Sequence, residues 1–189
     1  MYLSVVKPVI DRVFAFLLVI TLGLPFVFVC LILWIFHGAP VFFVQERAGK
    51  GGKPFKMLKL RTMSGNGQNL RITRLGSLLR RTSIDEIPQV WNILGGNMSF
   101  VGPRPLLVSY VPRYSREQRN RLTVMPGITG WAQVNGRTSI PWNEKLDLDV
   151  YYVKNCSIAL DLVILIKTFV LVLSFKEDTS VSEEPFNPS

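Results

Sequence analysis

Asp85 and Glu86 form an adjacent acidic pair just after a stretch, Arg47 to Ile84, that holds ten basic residues and no acidic one. A carboxylate in such surroundings can bind a hard divalent cation or attack phosphorus as a nucleophile, and the cationic neighbourhood suits a phosphorylated substrate. The same position also has a structural reading. Aspartate is a good N-cap, and Ile87, Val90, Trp91 and Leu94 follow with the i, i+3, i+4, i+7 spacing of a helix closed by Gly95 and Gly96. Glu86 is then the first helical residue, and Pro88 the third, where no N–H is missed. The helix dipole and the neighbouring Arg80 and Arg81 are expected to keep Asp85 ionised. At this level both readings stand.

Few other side chains offer chemistry. His37 is the single histidine and sits at the edge of an apolar run, which argues against a serine–histidine or cysteine–histidine device. Cys30 and Cys156 give neither a disulfide framework nor a metal-ligand spacing, which suits a reducing cytoplasm. Two loops have the residues of a phosphate site. In Gly102-Pro103-Arg104-Pro105 two prolines stiffen the backbone around one guanidinium, whose fork matches phosphate oxygens. Pro126-Gly127-Ile128-Thr129-Gly130, followed by Trp131, Gln133, Asn135 and Arg137, combines glycines, a hydroxyl, amides and a cation. Each loop taken alone also reads as a surface turn. Lys59, Arg61 and Arg80 are further candidates for one cationic site, and no P-loop or dinucleotide fingerprint is present.

The elements that must hold these groups begin with an anchor. Val13 to Phe36 carries no charge, and as a helix it would be ~36 Å long against a hydrocarbon core of about 30 Å. Pro25 cannot donate to the carbonyl of Thr21 and is expected to kink or break the helix, leaving each half too short to cross. Lys7 and Arg12 precede the run, while Arg47, Lys50, Lys53, Lys56, Lys59 and Arg61 follow it. Cationic flanks favour the cytoplasm, so a re-entrant hairpin is expected ahead of a kinked span. A cleaved signal peptide is the least favoured reading, because the run is long and lacks a small-residue cleavage site. The net charge of +9 and pI near 9.9 call for an anionic partner: acidic lipid, nucleic acid or a phosphorylated substrate.

Beyond the anchor, Val41 to Val44 and Phe55 to Met63 read as strands joined by a turn at Gly49, Gly51 and Gly52. Leu75, Leu78 and Leu79 suggest a short helix, and Ser115 with Gln118 has capping-box spacing for a basic surface helix running through Arg121. Leu146 to Lys154 is expected to be helical. Ser157 to Phe175 is strongly apolar but interrupted by Asp161 and Lys167, so it is expected to pack on the anchor or lie at the interface. The expected organisation is a re-entrant anchor (1–37), a catalytic body (38–175) and a disordered acidic tail (176–189). The fold class is mixed α/β, mainly helical, with interfacial amphipathic helices.

The ordered set Arg47-Ala48-Gly49, Phe55-Lys56, Lys59-Leu60-Arg61-Thr62-Met63, Arg80, Ser83 through Gln89, Gly96 through Pro105 and Pro126 through Arg137 closely resembles the bacterial sugar transferases. These are monotopic polyprenyl-phosphate phosphoglycosyl transferases that begin glycan assembly at the bacterial inner membrane with the catalytic domain facing the cytoplasm. The resemblance implies a UDP-sugar donor, an undecaprenyl phosphate acceptor and Mg2+. Asp85 would be the nucleophile and a metal ligand with Glu86 assisting, and Arg104 and Arg137 would hold phosphates. Anionic membrane lipids would be neighbours and nucleic acid would not be a partner, while a homodimer or later glycosyltransferases of the pathway remain open as partners. The chain departs from the family pattern at Leu24, where serine often precedes the proline, and at Ser64 to Asn69, which is short and lacks acidic residues. Thr21 or Gly23 is expected to stand in for the missing hydroxyl. The rival from another class is a noncatalytic membrane-anchored basic module that binds anionic lipid or nucleic acid.

Overall fold

A computed structural model of the chain describes residues 1–65, 70–136, 140–174 and 186. A short π-turn, Tyr2–Val6, leads into α1, Lys7–His37, whose length and composition suffice to cross a membrane. The helix runs through Pro25 without interruption, so the expected break is not a gap in the helix. Packing on either side of the proline accounts for this. Ala15, Leu18 and Val19 enter one core cluster, while Phe26, Val29, Cys30 and Leu33 enter another. These contacts hold both halves helical against a cost of about 3 kcal/mol for an internal proline. Thr21 does not replace the missing serine: its hydroxyl donates to the carbonyls of Leu17 and Leu18, at 2.9 and 3.4 Å, and not to the carbonyl that Pro25 leaves without a donor. Outside its buried stripe α1 is exposed and apolar, with Ile20, Leu24, Phe28, Ile35 and Phe36 bare.

The body that receives α1 is built on short strands. Strand β1, Phe42–Ala48, pairs antiparallel with β2, Pro54–Leu60, around the turn expected at Gly49 to Gly52. The two-residue strands β3, Met63–Ser64, and β4, Arg71–Ile72, form a second antiparallel pair ahead of α2, Arg74–Arg81. Helix α3, Gln89–Leu94, leads to β5, Ser99–Val101, which pairs in parallel with β6, Gly127–Thr129. Helices α4, Trp131–Asn135, α5, Trp142–Asn155, and α6, Ile158–Leu173, complete the described body. The expected α3 stripe is only partly inward: Val90 is buried, whereas Trp91 is 52% exposed and Ile93, outside the stripe, is buried instead.

Three expectations need correction. The capping box forms, with Gln118 N–H donating to Ser115 Oγ and Ser115 N–H to Gln118 Oε1, but it opens a 3-10 segment, Gln118–Thr123, rather than an α-helix. Arg121 in it is buried, not on the surface, because Asp149 of α5 faces it. The tail expected to be disordered contains a buried residue, Phe186, lodged among Tyr110, Tyr114 and Trp142, while 175–185 and 187–189 lie outside the described residues.

Helix α6 meets the anchor through polar groups. Asp161, in its first turn, accepts from Lys7 Nζ at 2.6 Å, Tyr2 Oη at 2.5 Å and Tyr152 Oη at 2.7 Å. Asp11, one turn after Lys7, accepts from Ser99 Oγ at 2.6 Å. The rest of α6 leaves Ile158, Leu162, Ile166, Phe169 and Val170 exposed, an apolar surface of the kind an interfacial helix presents to lipid. Because Lys7 and Asp161 are both buried, removing Asp161 leaves Lys7 with only its longer 3.8 Å contact to Asp11 and leaves Tyr2 and Tyr152 without their acceptor. Asp161→Ala should destabilise the protein by about 3 kcal/mol and lower its Tm in detergent, whereas breaking the exposed pair of Lys154 with Glu117 should leave the Tm nearly unchanged.

Candidate active site

The dyad is presented by a strained turn. Ser83 takes the left-handed conformation, φ 57°, at a cost of about 1–2 kcal/mol for a non-glycine residue. It is followed by a single 3-10 turn, Ile84–Glu86, whose Ile84 side chain packs on the Leu33, Leu60 and Leu79 cluster. Asp85 is therefore not the N-cap of α3; that position belongs to Pro88. The turn advances the chain before the α-helix begins, and Asp85 is left to face the body rather than the helix's own N–H groups.

Cations are brought to the dyad by separate devices. Asn92 of α3 clamps β2, accepting from Leu58 N–H at 3.1 Å and donating to the Lys56 carbonyl at 2.8 Å. That clamp sets Lys59, whose Nζ lies 2.6 Å from Glu86 Oε1. Arg80 is delivered by α2, where Gly76 permits the helix to press on the Thr62 backbone: an added Cβ would lie 1.9 Å from the Thr62 carbonyl oxygen. Arg80 Nε then donates to Thr62 Oγ1 at 2.8 Å. Arg104 reaches the same Glu86 Oε1 with Nη2 at 3.2 Å. Its loop is tied to β6 by Gly127 N–H donating to the Pro103 carbonyl at 3.0 Å and Gly102 N–H to the Thr129 carbonyl at 2.9 Å. A Cβ on Gly127 would sit 2.1 Å from Gly102 N, so the two glycine loops read from the sequence touch backbone to backbone.

The two carboxylates are driven apart electrostatically. Burial pushes the Asp85 carboxyl up from 3.8 to about 6, with the Glu86 charge adding to it and Lys59, Arg80 and Arg104 opposing it. Burial would raise Glu86 too, but Lys59 and Arg104 outweigh it and hold that carboxyl at about 2. Asp85 is thus mainly ionised near neutral pH, as expected, but its proton affinity is raised rather than lowered, because desolvation outweighs the three cations. Near neutral pH it is still about nine-tenths carboxylate, with a basicity raised for attack on an electrophile. Among the described residues no cluster of three or more metal-ligating side chains occurs. The adjacent pair nonetheless suits a magnesium ion, which commonly takes one or two carboxylates and completes its shell with phosphate oxygens and water. Asp85 is the under-compensated charge such an ion would satisfy.

Not every candidate joins the cluster. Arg61 caps α1: Nη2 donates to the carbonyls of His37 and Gly38, and Nη1 to that of Ala39. His37 is structural, with Nδ1 3.3 Å from the Arg61 carbonyl and Nε2 2.9 Å from Thr73 Oγ1. Gln133 folds back on its own loop, donating to the Ile128 carbonyl at 3.2 Å, with its Oε1 buried and unpartnered. Arg137 lies outside the described residues. Two residues were missed as site candidates. Arg47 and the buried Gln89 line a small cleft of about 20 Å³ with Lys59, Glu86 and Arg104. Burial and the nearby Arg104 lower the pKa of Arg47. Both residues lie inside the quoted motifs, so the signal was available, but neither has a neighbour in sequence that announces its role.

The raised Asp85 pKa has a stability consequence whose sign is definite. The unfolded carboxyl titrates at the ordinary 3.8 and the folded one near 6, so the fold holds that proton more tightly. This contribution is fully present below pH 3.8 and is lost as pH rises through 6. Asp85→Asn should therefore raise stability at pH 7.5, by about 2 kcal/mol, and leave it nearly unchanged at pH 4. Thermal melts at the two pH values check this, and a lower Tm at pH 7.5 would contradict it.

Comparison with known proteins identifies the family. Bacterial sugar transferase is the family that matches, over residues 2–175. An uncharacterized sugar transferase, EpsL, of Bacillus subtilis is 48% identical over 163 residues, 80% of this chain and 81% of that protein. The UDP-glucose:undecaprenyl-phosphate glucose-1-phosphate transferase of Xanthomonas campestris is 42% identical over 156 residues, 72% of this chain and 32% of that protein. The UDP-N-acetylgalactosamine-undecaprenyl-phosphate N-acetylgalactosaminephosphotransferase of Aeromonas hydrophila is 38% identical over 151 residues, 71% of this chain and 36% of that protein. This chain thus spans most of the Bacillus protein and about a third of the other two. Since the match takes in the anchor, the strained Asp85–Glu86 turn and both glycine loops, this chain belongs to the bacterial sugar transferase family.

Proposed function

We propose that this protein transfers a sugar-1-phosphate from a UDP-sugar to undecaprenyl phosphate through a covalent intermediate on Asp85. The observation that carries the reading is the split dyad: two adjacent carboxylates, Glu86 held ionised by Lys59 and Arg104, and Asp85 buried with its pKa raised to about 6. Relatives whose names specify sugar-phosphate transfer to undecaprenyl phosphate supply the substrate class. An Asp85 carboxylate oxygen attacks the sugar-linked phosphorus, and the bond from that phosphorus to the bridging oxygen breaks, so UMP leaves with the oxygen. A phosphate oxygen of undecaprenyl phosphate then attacks the aspartyl phosphate. The phosphorus–aspartate bond breaks, Asp85 is regenerated as carboxylate, and undecaprenyl-diphosphate-sugar departs. Lys59, Arg80 and Arg104 lower the repulsion between an anionic nucleophile and an anionic substrate. Magnesium, held by Asp85 with Glu86 assisting, would neutralise diphosphate charge when bound. A lipid- or nucleic-acid-binding module accounts for the net charge but leaves the buried dyad without a role.

Asp85→Asn should abolish UMP release even without the lipid acceptor, because the first half-reaction needs the carboxylate. Wild-type protein incubated with donor alone should carry a phosphosugar on Asp85 by mass spectrometry. Chelation should stop turnover and magnesium restore it. A phosphosugar on a different residue, or full turnover in the mutant, would sink the mechanism.

We further propose that α1 is re-entrant at the cytoplasmic membrane, with the catalytic body on the cytoplasmic side. Support comes from both ends of α1 meeting the same body: Lys7 with Asp161 of α6 at one end, His37 with Arg61 and Thr73 at the other. A spanning helix would put about 30 Å of hydrocarbon between those ends. With Cys30 and Cys156 replaced, Ser4→Cys should resist a membrane-impermeant thiol reagent in intact cells and react after permeabilisation. Ready labelling from outside would show a true span.

A further inference from the structure

Phe186 lies beyond the family match, which ends at residue 175, yet it is 1% exposed. Its ring sits among three others, with centroids 5.5 Å from Tyr110, 5.8 Å from Tyr114 and 5.6 Å from Trp142. Its main chain is held as well: Arg113 Nη1 donates to the Phe186 carbonyl at 2.9 Å, and Phe186 N–H donates to Tyr110 Oη at 3.4 Å. The box therefore reads both an aromatic side chain and the backbone that carries it. An apolar ring in a polar, acidic tail gains from such a seat what a solvated tail residue lacks.

The far wall of the box leads to the dyad. Tyr114 Oη accepts from Arg121 Nη1 at 3.2 Å, and the Arg121 guanidinium lies 5.5 Å from the Tyr114 ring centre. Arg121 Nη2 donates to Asp149 Oδ2 at 2.8 Å and to the Arg104 carbonyl at 2.6 Å. Arg104 is the residue whose guanidinium reaches Glu86. Leu106, two residues further on, packs on the same cluster as Phe186, and its carbonyl accepts from Ala48 N–H at 2.9 Å.

We propose that Phe186 is an intramolecular ligand of the Tyr110–Tyr114–Trp142 box, and that its docking braces the Arg104 loop through Tyr114, Arg121 and Leu106. The brace positions a binding arm and does not touch the reacting atoms, so its loss should weaken donor binding more than the chemical step. That last consequence rests on the reading of Arg104 as a donor ligand; the docking and the brace do not.

Chymotrypsin, which cuts after accessible aromatic residues, reads the docking. Cleavage at Phe186, seen by mass as loss of Asn187 to Ser189, should be at least tenfold slower in the intact protein than in a peptide of residues 181–189. Trp142→Ala or Arg113→Ala should return it to the peptide rate. Equal rates in protein and peptide overturn the docking, and protection that survives both substitutions overturns the box as its cause. Hydrogen exchange reads the brace: in Phe186→Ala the N–H groups of Ala48 and Gly127, which donate to the Leu106 and Pro103 carbonyls, should exchange about tenfold faster, and Phe186→Tyr should restore them. Unchanged exchange overturns the brace. In the same variant the donor KM should rise about fivefold with kcat within twofold. Faster exchange with an unmoved KM sinks Arg104 as a donor ligand and leaves the docking intact.

Discussion

One oxygen of Glu86 receives two cations, Lys59 Nζ at 2.6 Å and Arg104 Nη2 at 3.2 Å, and much of the body is arranged so that this can happen. The three residues come from β2, the 3-10 turn before α3 and the Gly-Pro-Arg-Pro loop, so the carboxylate pins segments that are distant in sequence. Burying a carboxylate is costly unless it is paired and hydrogen-bonded. The Asn92 clamp on β2 and the backbone contact of Gly102 with Gly127 give the two cations fixed positions. With Glu86 satisfied, the neighbouring Asp85 is left as the charge that the protein neutralises incompletely. Adjacent carboxylates with divergent environments can take different roles, and here one is held as a fixed electrostatic partner while the other keeps a raised proton affinity.

The membrane imposes the second constraint. Apolar α1 and α6 can face lipid only if their polar groups turn inward and find partners. Lys7, Asp11 and Asp161 do so, meeting Tyr2, Tyr152 and Ser99 in a buried network that joins the start of the anchor to the start of α6. The other end of α1 is closed by Arg61, which takes the carbonyls that a helix C-terminus leaves without donors. A residue that charge pattern alone assigns to substrate thus serves the anchor, because the carbonyls at a helix end lack intrahelical donors and a guanidinium can supply several at once. The Asp85–Glu86 turn packs through Ile84 on the cluster that Leu33 of the anchor forms with Leu60 and Leu79. A disturbance of the anchor therefore has a short path to the dyad.

Much of this was legible in the sequence. An uncharged run with cationic flanks, an acidic pair isolated among ten basic residues, and glycine–proline loops are local signals, since hydropathy, charge and φ preference act over a few residues. They name Asp85, Glu86, Lys59, Arg80 and Arg104, which the fold brings within electrostatic reach of one another, but also Arg61 and Gln133, which it does not, and the motif order sufficed for the family. The leucine spacing of α2 and the helical character of α5 are read from the sequence for the same reason. Tertiary structure decided what depends on partners from elsewhere in the chain. Pro25 disrupts a helix locally, yet packing on both sides of it carries α1 through. Arg121 looks like a surface cation until Asp149 comes to face it, and Phe186 looks like part of a solvated tail until three aromatic rings surround it. The basicity of Asp85 is likewise a tertiary property, because desolvation depends on what buries the carboxylate. Sequence determines which groups are present and how each segment prefers to fold, but pairing and desolvation act at distances of a few ångströms between residues tens of positions apart, so only the folded chain decides them.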